Sequence, residues 1–410
     1  MNRLNAVLMC SLFLVSSAVF AENPAVDKQC VPEGEWVTFE GKTLDKQSVI
    51  KSLSQKKVVL LGEDHDNVEH HRWQLHTIAG IYAYQPDMAL GFESFPRATQ
   101  KYLDQWVAGE LEEKEFLELV EWDKVWRFNK DYYMPMFHFA RMNKIPMYAL
   151  NVERKLVAMV SQQGWENVDE SLKEGVTKPA SPSLEYLEVL AGVFAQHKPR
   201  HDTAEHDKDG EHAGLSDTEF RKIMESPGFR GFVQGQSVWD RAMAEKIEQA
   251  INKDKHSVMI GVMGAGHLMH GFGAPHQLKD LGVDSIVTLM PWDGLIDCSE
   301  LKNGAVDIAY GIIEIDTSET EEDERPRLGV YLDHINATVV ITRLVDNSVA
   351  EKTGLKVDDQ IVEIAGKKVT KVIEVVETVK STAFGTWLPM KILRGDKTME
   401  LVAKFPPKSN

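Results

Sequence analysis

Four short runs of apolar, β-forming residues punctuate the first three quarters of the chain, and each ends at a polar residue. Val58, Val59, Leu60 and Leu61 lead into Gly62-Glu63-Asp64-His65; Met88 to Phe92 lead into Glu93; Pro146 to Leu150 lead into Asn151; Val258 to Met263 lead into Gly264-Ala265-Gly266-His267. Runs of this length without alternation predict parallel strands buried on both faces. Amphipathic stretches separate them, as right-handed βαβ crossovers require. The pattern predicts an α/β fold: a mainly parallel sheet with helices on both faces. Residues just past the carboxyl ends of such strands line the crevice where open α/β sheets bind ligands. Glu63, His65, Glu93, Asn151 and His267 therefore form one predicted rim, and the two Gly-x-x-His tetrapeptides bring their imidazoles to a shared pocket.

Beyond residue 315 the pattern changes. Asp316 to Arg325 is polar, with Glu319, Glu321, Glu322, Asp323 and Glu324, and reads as an exposed connector at 316–325. Short Val/Ile/Leu strands then alternate with turn signals, and one helical stretch places Val372, Val375, Val376 and Val379 on a face. A separate small αβ module is expected over 326–406.

The first 21 residues stand outside the fold. Arg3, the apolar stretch Ala6 to Val15 and Val19-Phe20-Ala21 have the order of a secretory signal peptide. Cys10 lies inside the apolar stretch rather than closing it, so a soluble, exported, periplasmic chain is expected instead of a lipoprotein. With the leader removed, Cys30 and Cys298 remain. An oxidising compartment allows them to pair, closing a loop worth roughly 5 kcal/mol in the chain-entropy model; two unrelated buried thiols are the alternative. The formal net charge of -17 excludes nucleic acid as an expected partner and argues against adhesion to anionic lipid.

The rim carries the chemistry. Glu63, His65, Glu93 and His267 are a mixed nitrogen and oxygen set suited to zinc, manganese, iron or cobalt. An open coordination position would activate water, with Asn151 and the second carboxylate completing a catalytic set for a metal-dependent hydrolase. His70 and His71 diverge by about 100 degrees on a helix, so at most one can face the pocket. The tract 196–214, with His197, His201, His206 and His212 among acids, reads as a solvated inserted loop; metal capture there is the sharper alternative.

The strings Leu61-Gly62-Glu63-Asp64-His65-Asp66-Asn67 with His70-His71, Leu90-Gly91-Phe92-Glu93-Ser94-Phe95, Ile145 to Asn151, Gln236 to Ala244 and Gly264-Ala265-Gly266-His267 resemble, in order, the ChaN-like haem-binding uptake domains of the Tiki superfamily. The resemblance spans about residues 40–295. It implies an exported haem-binding protein of iron acquisition. The same superfamily holds metal-dependent proteases and esterase-like enzymes, whose paired Gly-x-x-His motifs these resemble, so a hydrolase is the second reading. Haem asks for an apolar slot and a His, Tyr or Met ligand. The stretch Tyr132-Tyr133-Met134-Pro135-Met136-Phe137-His138 supplies all three types; the resemblance implies a tyrosine but assigns it to no position.

Leu328-Gly329-Val330 and Ser348 to Ile361 resemble the carboxylate-binding loop and following turn of PDZ domains from bacterial protease-associated proteins. The resemblance implies recognition of the C-terminal peptides of envelope proteins in a groove made by Leu328, Gly329, Val330, Val372 and Val376. A degenerate module used for homodimer contacts or domain packing is the alternative. A third reading is an envelope scaffold acting only through that groove.

Overall fold

The computed structural model describes residues 30–196, 217–293, 298–313, 326–335 and 338–407. The expected leader 1–21, the histidines His197, His201, His206 and His212, and the connector 316–325 lie outside the described residues. The chain divides into two compact units, one ending at Glu314 and one beginning at Ile315.

The first unit is built on an eight-stranded sheet. Its strands are β1 (Trp36–Thr38), β2 (Thr43–Leu44), β3 (Val58–Glu63), β4 (Met88–Pro96), β5 (Met147–Asn151), β6 (Val258–Gly264), β7 (Ile286–Trp292) and β8 (Ile308–Gly311), in the spatial order β2-β1-β8-β7-β3-β6-β4-β5. The six strands from β8 to β5 are parallel, and β1 and β2 add antiparallel at one edge. All four strands read from the sequence are present and adjacent. β3, β4 and β6 are buried along their whole length, which is why their sequences show no polar alternation. Helices cover both faces. One apolar cluster joins Leu61, Phe92 and Val262 to Trp73, Trp106 and Phe137. The other joins Leu60, Ala89 and Met263 to Met243, Ile247 and Leu278. The expected mainly parallel α/β sheet is what the structure shows.

The path of the chain locates the crevice. From β3 it crosses to β4 and then β5, returns to insert β6 between β3 and β4, and continues on the far side of β3 with β7. The helix after β3, Val68–Tyr84, packs in the first cluster and the helix Ala274–Asp280, after β6, in the second. Crossovers on opposite faces leave the neighbouring carboxyl ends of β3 and β6 uncovered by either, the switch point of an open sheet. The register Glu63↔Gly264 brings the two Gly-x-x-His segments level.

Cys30 and Cys298 form a disulfide across 268 residues of sequence, so the bridge and not the pair of separate thiols is present. Among the described residues no helix is long and apolar enough to cross a membrane.

The second unit is an antiparallel sheet of β9 (Val330–Ile335), β10 (Thr338–Leu344), β11 (Gln360–Ile364), β12 (Lys367–Lys368), β13 (Trp387–Arg394) and β14 (Lys397–Lys404). Its order is β14-β13-β11-β10-β9, with β12 paired to β11. The helix Val372–Lys380 buries Val375 and Val379 in the core, while Val372 and Val376 stay half-buried.

Candidate functional site

Two histidine–carboxylate pairs meet at the ends of β3, β6 and β4. His65 Nδ1 lies 2.8 Å from Glu63 Oε1, and His267 Nδ1 lies 2.7 Å from Asp240 Oδ1. Glu93 stands between the pairs: its Oε2 accepts from the Gly264 amide at 2.7 Å and its Oε1 is 3.4 Å from His267 Nε2. Gly264 makes the close approach of His65 possible, since a Cβ there would come within 2.9 Å of His65 Cε1, 3.1 Å of Nε2 and 3.6 Å of Glu93 Oε2. Glu63, His65, Glu93 and His267 are thus brought together as the sequence predicts.

Asn151 has a different place. Its side-chain amide donates to the Glu93 carbonyl at 3.0 Å and its oxygen accepts from the Val152 amide, so both polar atoms brace backbone and neither is offered to the pocket.

Glu63 also sits further back than a ligand would. Its Oε1 accepts from the Tyr133 phenol at 2.6 Å as well as facing His65, and its Oε2 accepts from Gln74 Nε2 at 2.9 Å. Burial pushes its carboxyl up, but the His65 contact, His71 and Tyr133 outweigh this and hold it below the usual range. With both oxygens engaged, Glu63 orients His65, which keeps about a quarter of its side chain open to solvent while Glu93 and His267 are buried beside it.

The charges follow from this packing. Burial disfavours the charged form of each group, yet Glu93 falls to about 2 because His267 and His65 lie beside it. His267 rises to about 10, against its own burial, because Glu93 and Asp240 flank it. Burial dominates at Asp240 and pushes it up, so Glu93 is the first of the two to carry charge. His65 is also raised: Glu63 and Glu93 overcome its desolvation.

Four supporting residues were not assigned from sequence. Asp240 comes from the long helix Pro227–Asn252, started by Ser226 and Pro227, with Gln236 one turn earlier reaching His267 Nδ1 at 3.0 Å. Tyr186 donates to Asp240 from the other side at 3.0 Å. Gln74 is one turn from His71, and the pair links Glu63 to the His65 carbonyl. The signal available for Asp240 was an acid four residues after Gln236 in a stretch rich in small and apolar residues.

His70 and His71 diverge as helix geometry requires. His71 faces Glu63, while His70 turns to Asp64 and Asp293. Among the described residues, Asp64, His70 and Asp293 are the one such group with ligand atoms all within 4.8 Å of one another. The hydrogen bonding opposes a cation there. The Asp64 amide donates to His70 Nδ1 at 2.8 Å, so the neutral ring carries its proton on Nε2 and presents N–H, not a lone pair, toward Asp293.

The wall beside His65 is aromatic. Trp126 and Phe128 lie 4.6 and 4.9 Å from its ring, centroid to centroid. About a quarter of the His65 side chain is open to solvent. In the predicted aromatic stretch, Tyr133 is buried, Tyr132 stacks on His71, and His138 points away to Glu113 and Trp106.

This fold is that of a known class. The chain belongs to the family described as haem-binding uptake, Tiki superfamily, ChaN, whose family model matches residues 49–278, and a PDZ domain model matches residues 326–404. The solved structure described as cofacial heme binding to ChaN of Campylobacter jejuni is similar in fold: its TM-score is 0.50 and its identity 18%, over 67% of this chain and 95% of that one. The chain is also 30% identical over 132 residues to the serine protease Do-like HtrB of Bacillus subtilis. That match covers 31% of this chain and 29% of HtrB, so under a third of that relative is spanned.

In the PDZ unit, Leu328 is buried in the core and Val330 and Val372 pack against it from its edge. Gly329 has φ +81, and a Cβ there would strike Ser348 Cβ at 2.3 Å, so the loop position requires glycine on both counts.

Proposed function

We propose that the larger domain binds haem in the service of iron uptake, with His65 as the protein ligand, and that the chain is exported and uses its PDZ unit to hold the C-termini of envelope proteins. The observation that carries the haem reading is the setting of His65. Its Nδ1 is anchored on a buried carboxylate, its ring packs against Trp126 and Phe128, and part of it reaches solvent. A carboxylate on the far nitrogen fixes the tautomer and raises ligand basicity, and the indole and phenyl supply apolar surface for a flat macrocycle. Family membership supports haem as the bound group.

Tyr133 does not fit a ligand role. Its phenol is buried and donates to Glu63, and burial beside that carboxylate pushes it far above the usual tyrosine range, which disfavours the phenolate. Haem, when bound, supplies an iron centre; His65 binds, Glu63 orients, and the aromatic wall excludes water.

The test is titration of haem into the purified mature chain with the Soret band as readout. The wild type and Tyr133→Phe should give the same shifted band, and His65→Ala should lose it. A band unchanged in His65→Ala overturns the assignment of the ligand.

A second reading, a metal-dependent hydrolase, is favoured by one observation: both histidines carry a carboxylate on Nδ1, and Glu93 lies 3.4 Å from His267 Nε2. A divalent metal on His65, Glu93 and His267 would supply an acidic bound water. Stoichiometric metal lost in both His65→Ala and His267→Ala, with no Soret shift, would put this reading first.

A further inference from the structure

The edge strand β9 presents a reader of side chains that the loop residues do not account for. β9 ends the sheet order, so one side of it has no neighbouring strand. At its start the Leu328 and Gly329 carbonyls are engaged, accepting from Ala350 and Val345 at 2.7 and 2.9 Å. Among the described residues no hydrogen bond uses the amide N–H of Leu328 or Gly329. Those two amides are the groups a terminal carboxylate would meet. Along β9, Val330 and Leu332 pack toward the core, while Tyr331 and Asp333 are exposed on the other face.

Arg343 stands opposite Tyr331 in the β9–β10 register, with its Cζ 3.6 Å from the Tyr331 ring centroid. Stacking occupies the flat face of the guanidinium and leaves its N–H edge. Among the described residues no hydrogen bond or ion pair uses that edge, and the side chain is exposed.

We propose that Arg343, held flat by Tyr331, selects an acidic residue at the penultimate position of a bound C-terminal peptide. The inference rests on the reading that the PDZ unit binds C-termini. A peptide adding antiparallel to β9, with its carboxylate on the Leu328 and Gly329 amides, turns its last side chain toward Val330 and Leu332. Alternation turns the penultimate side chain to the opposite face, beside Tyr331 and Arg343. Asp333, next on that face, stands opposite the fourth residue from the end. A carboxylate at the penultimate position meets a fork of unpaired donors, and an ammonium meets a fixed cation.

The experiment uses the mature full chain and fluorescent alanine-rich decapeptides ending in Glu-Val, Ala-Val or Lys-Val, with an amidated Glu-Val control, at low salt. The Glu-Val peptide should bind at least about fivefold more tightly than Lys-Val, in keeping with an exposed ion pair. Arg343→Ala should abolish that preference while keeping the Ala-Val affinity, and Arg343→Glu should reverse it. Equal affinity for all three free-carboxyl peptides, lost on amidation, overturns the role of Arg343 and leaves the C-terminus reading standing. Binding of none of them overturns both.

Discussion

Tyr133 and Glu63 are joined by a 2.6 Å hydrogen bond inside the domain, 70 residues apart in sequence. The bond ties the helix Lys130–Asn143 to the end of β3, and so sets the carboxylate that orients His65. Tyr133→Phe removes a donor to a buried charged acceptor while Gln74 and His65 remain. The expected loss is about 1.5–3 kcal/mol of unfolding free energy, measured by urea titration of the larger domain. No loss would show that the phenol is not part of the network that holds Glu63.

Gly264→Ala tests the contact between the two Gly-x-x-His segments. The backbone there has φ -57, which alanine adopts without strain, so any effect comes from the Cβ meeting His65 at 2.9 and 3.1 Å. His65 is expected to be displaced, with ligand affinity falling most of the way to that of His65→Ala and a stability cost of about 1–3 kcal/mol. An unchanged affinity would mean that His65 moves without consequence.

Asp240→Asn tests what sets the charge of His267. In the metal-free chain His267 should stay protonated up to about pH 10, held by Glu93 and Asp240 against its burial. Because its folded value is raised, its contribution to stability is complete below the unfolded value near 6.5 and is lost as pH rises through about 10. NMR titration should find a lower value in Asp240→Asn, and the alkaline loss of stability should shrink with it.

Asp359 contributes to the acid sensitivity of the PDZ unit. It is buried, but the Arg394 fork at 2.6 and 2.7 Å and the Lys356 amide at 2.8 Å outweigh desolvation and hold its carboxyl below the usual range. A lowered folded value stabilises above the ordinary value of 3.8, and that share is lost as pH falls through the lowered one. Acid unfolding of the PDZ unit, followed through the exposed Trp387, should be less steep in Asp359→Asn.

What was legible in the sequence follows from where burial leaves a local mark. β3, β4, β5 and β6 run for four or more consecutive positions without a polar residue, and His65, Glu93 and His267 follow such runs within a few residues. β1 and β8, of three and four residues, are too short to show a period, and they pair across most of the domain. Gln74, Tyr133 and Asp240 lie inside helices, where a polar residue ordinarily marks the solvent face. Only the packing of those helices on the sheet turns them inward. Asn151 shows the converse: it stands at a strand end, the expected place for chemistry, and its hydrogen bonds go to backbone. The Cys30–Cys298 pair was an open choice because two cysteines 268 residues apart say nothing about whether the fold brings them within reach.

That bond has a topological effect. It makes residues 30 to 298 a covalent ring, so a single peptide cleavage between them linearises the ring without dividing the molecule. Both fragments would migrate as one species on a non-reducing gel and separate only after thiol treatment, and loss of the segment bearing His65 or His267 would require a second cut.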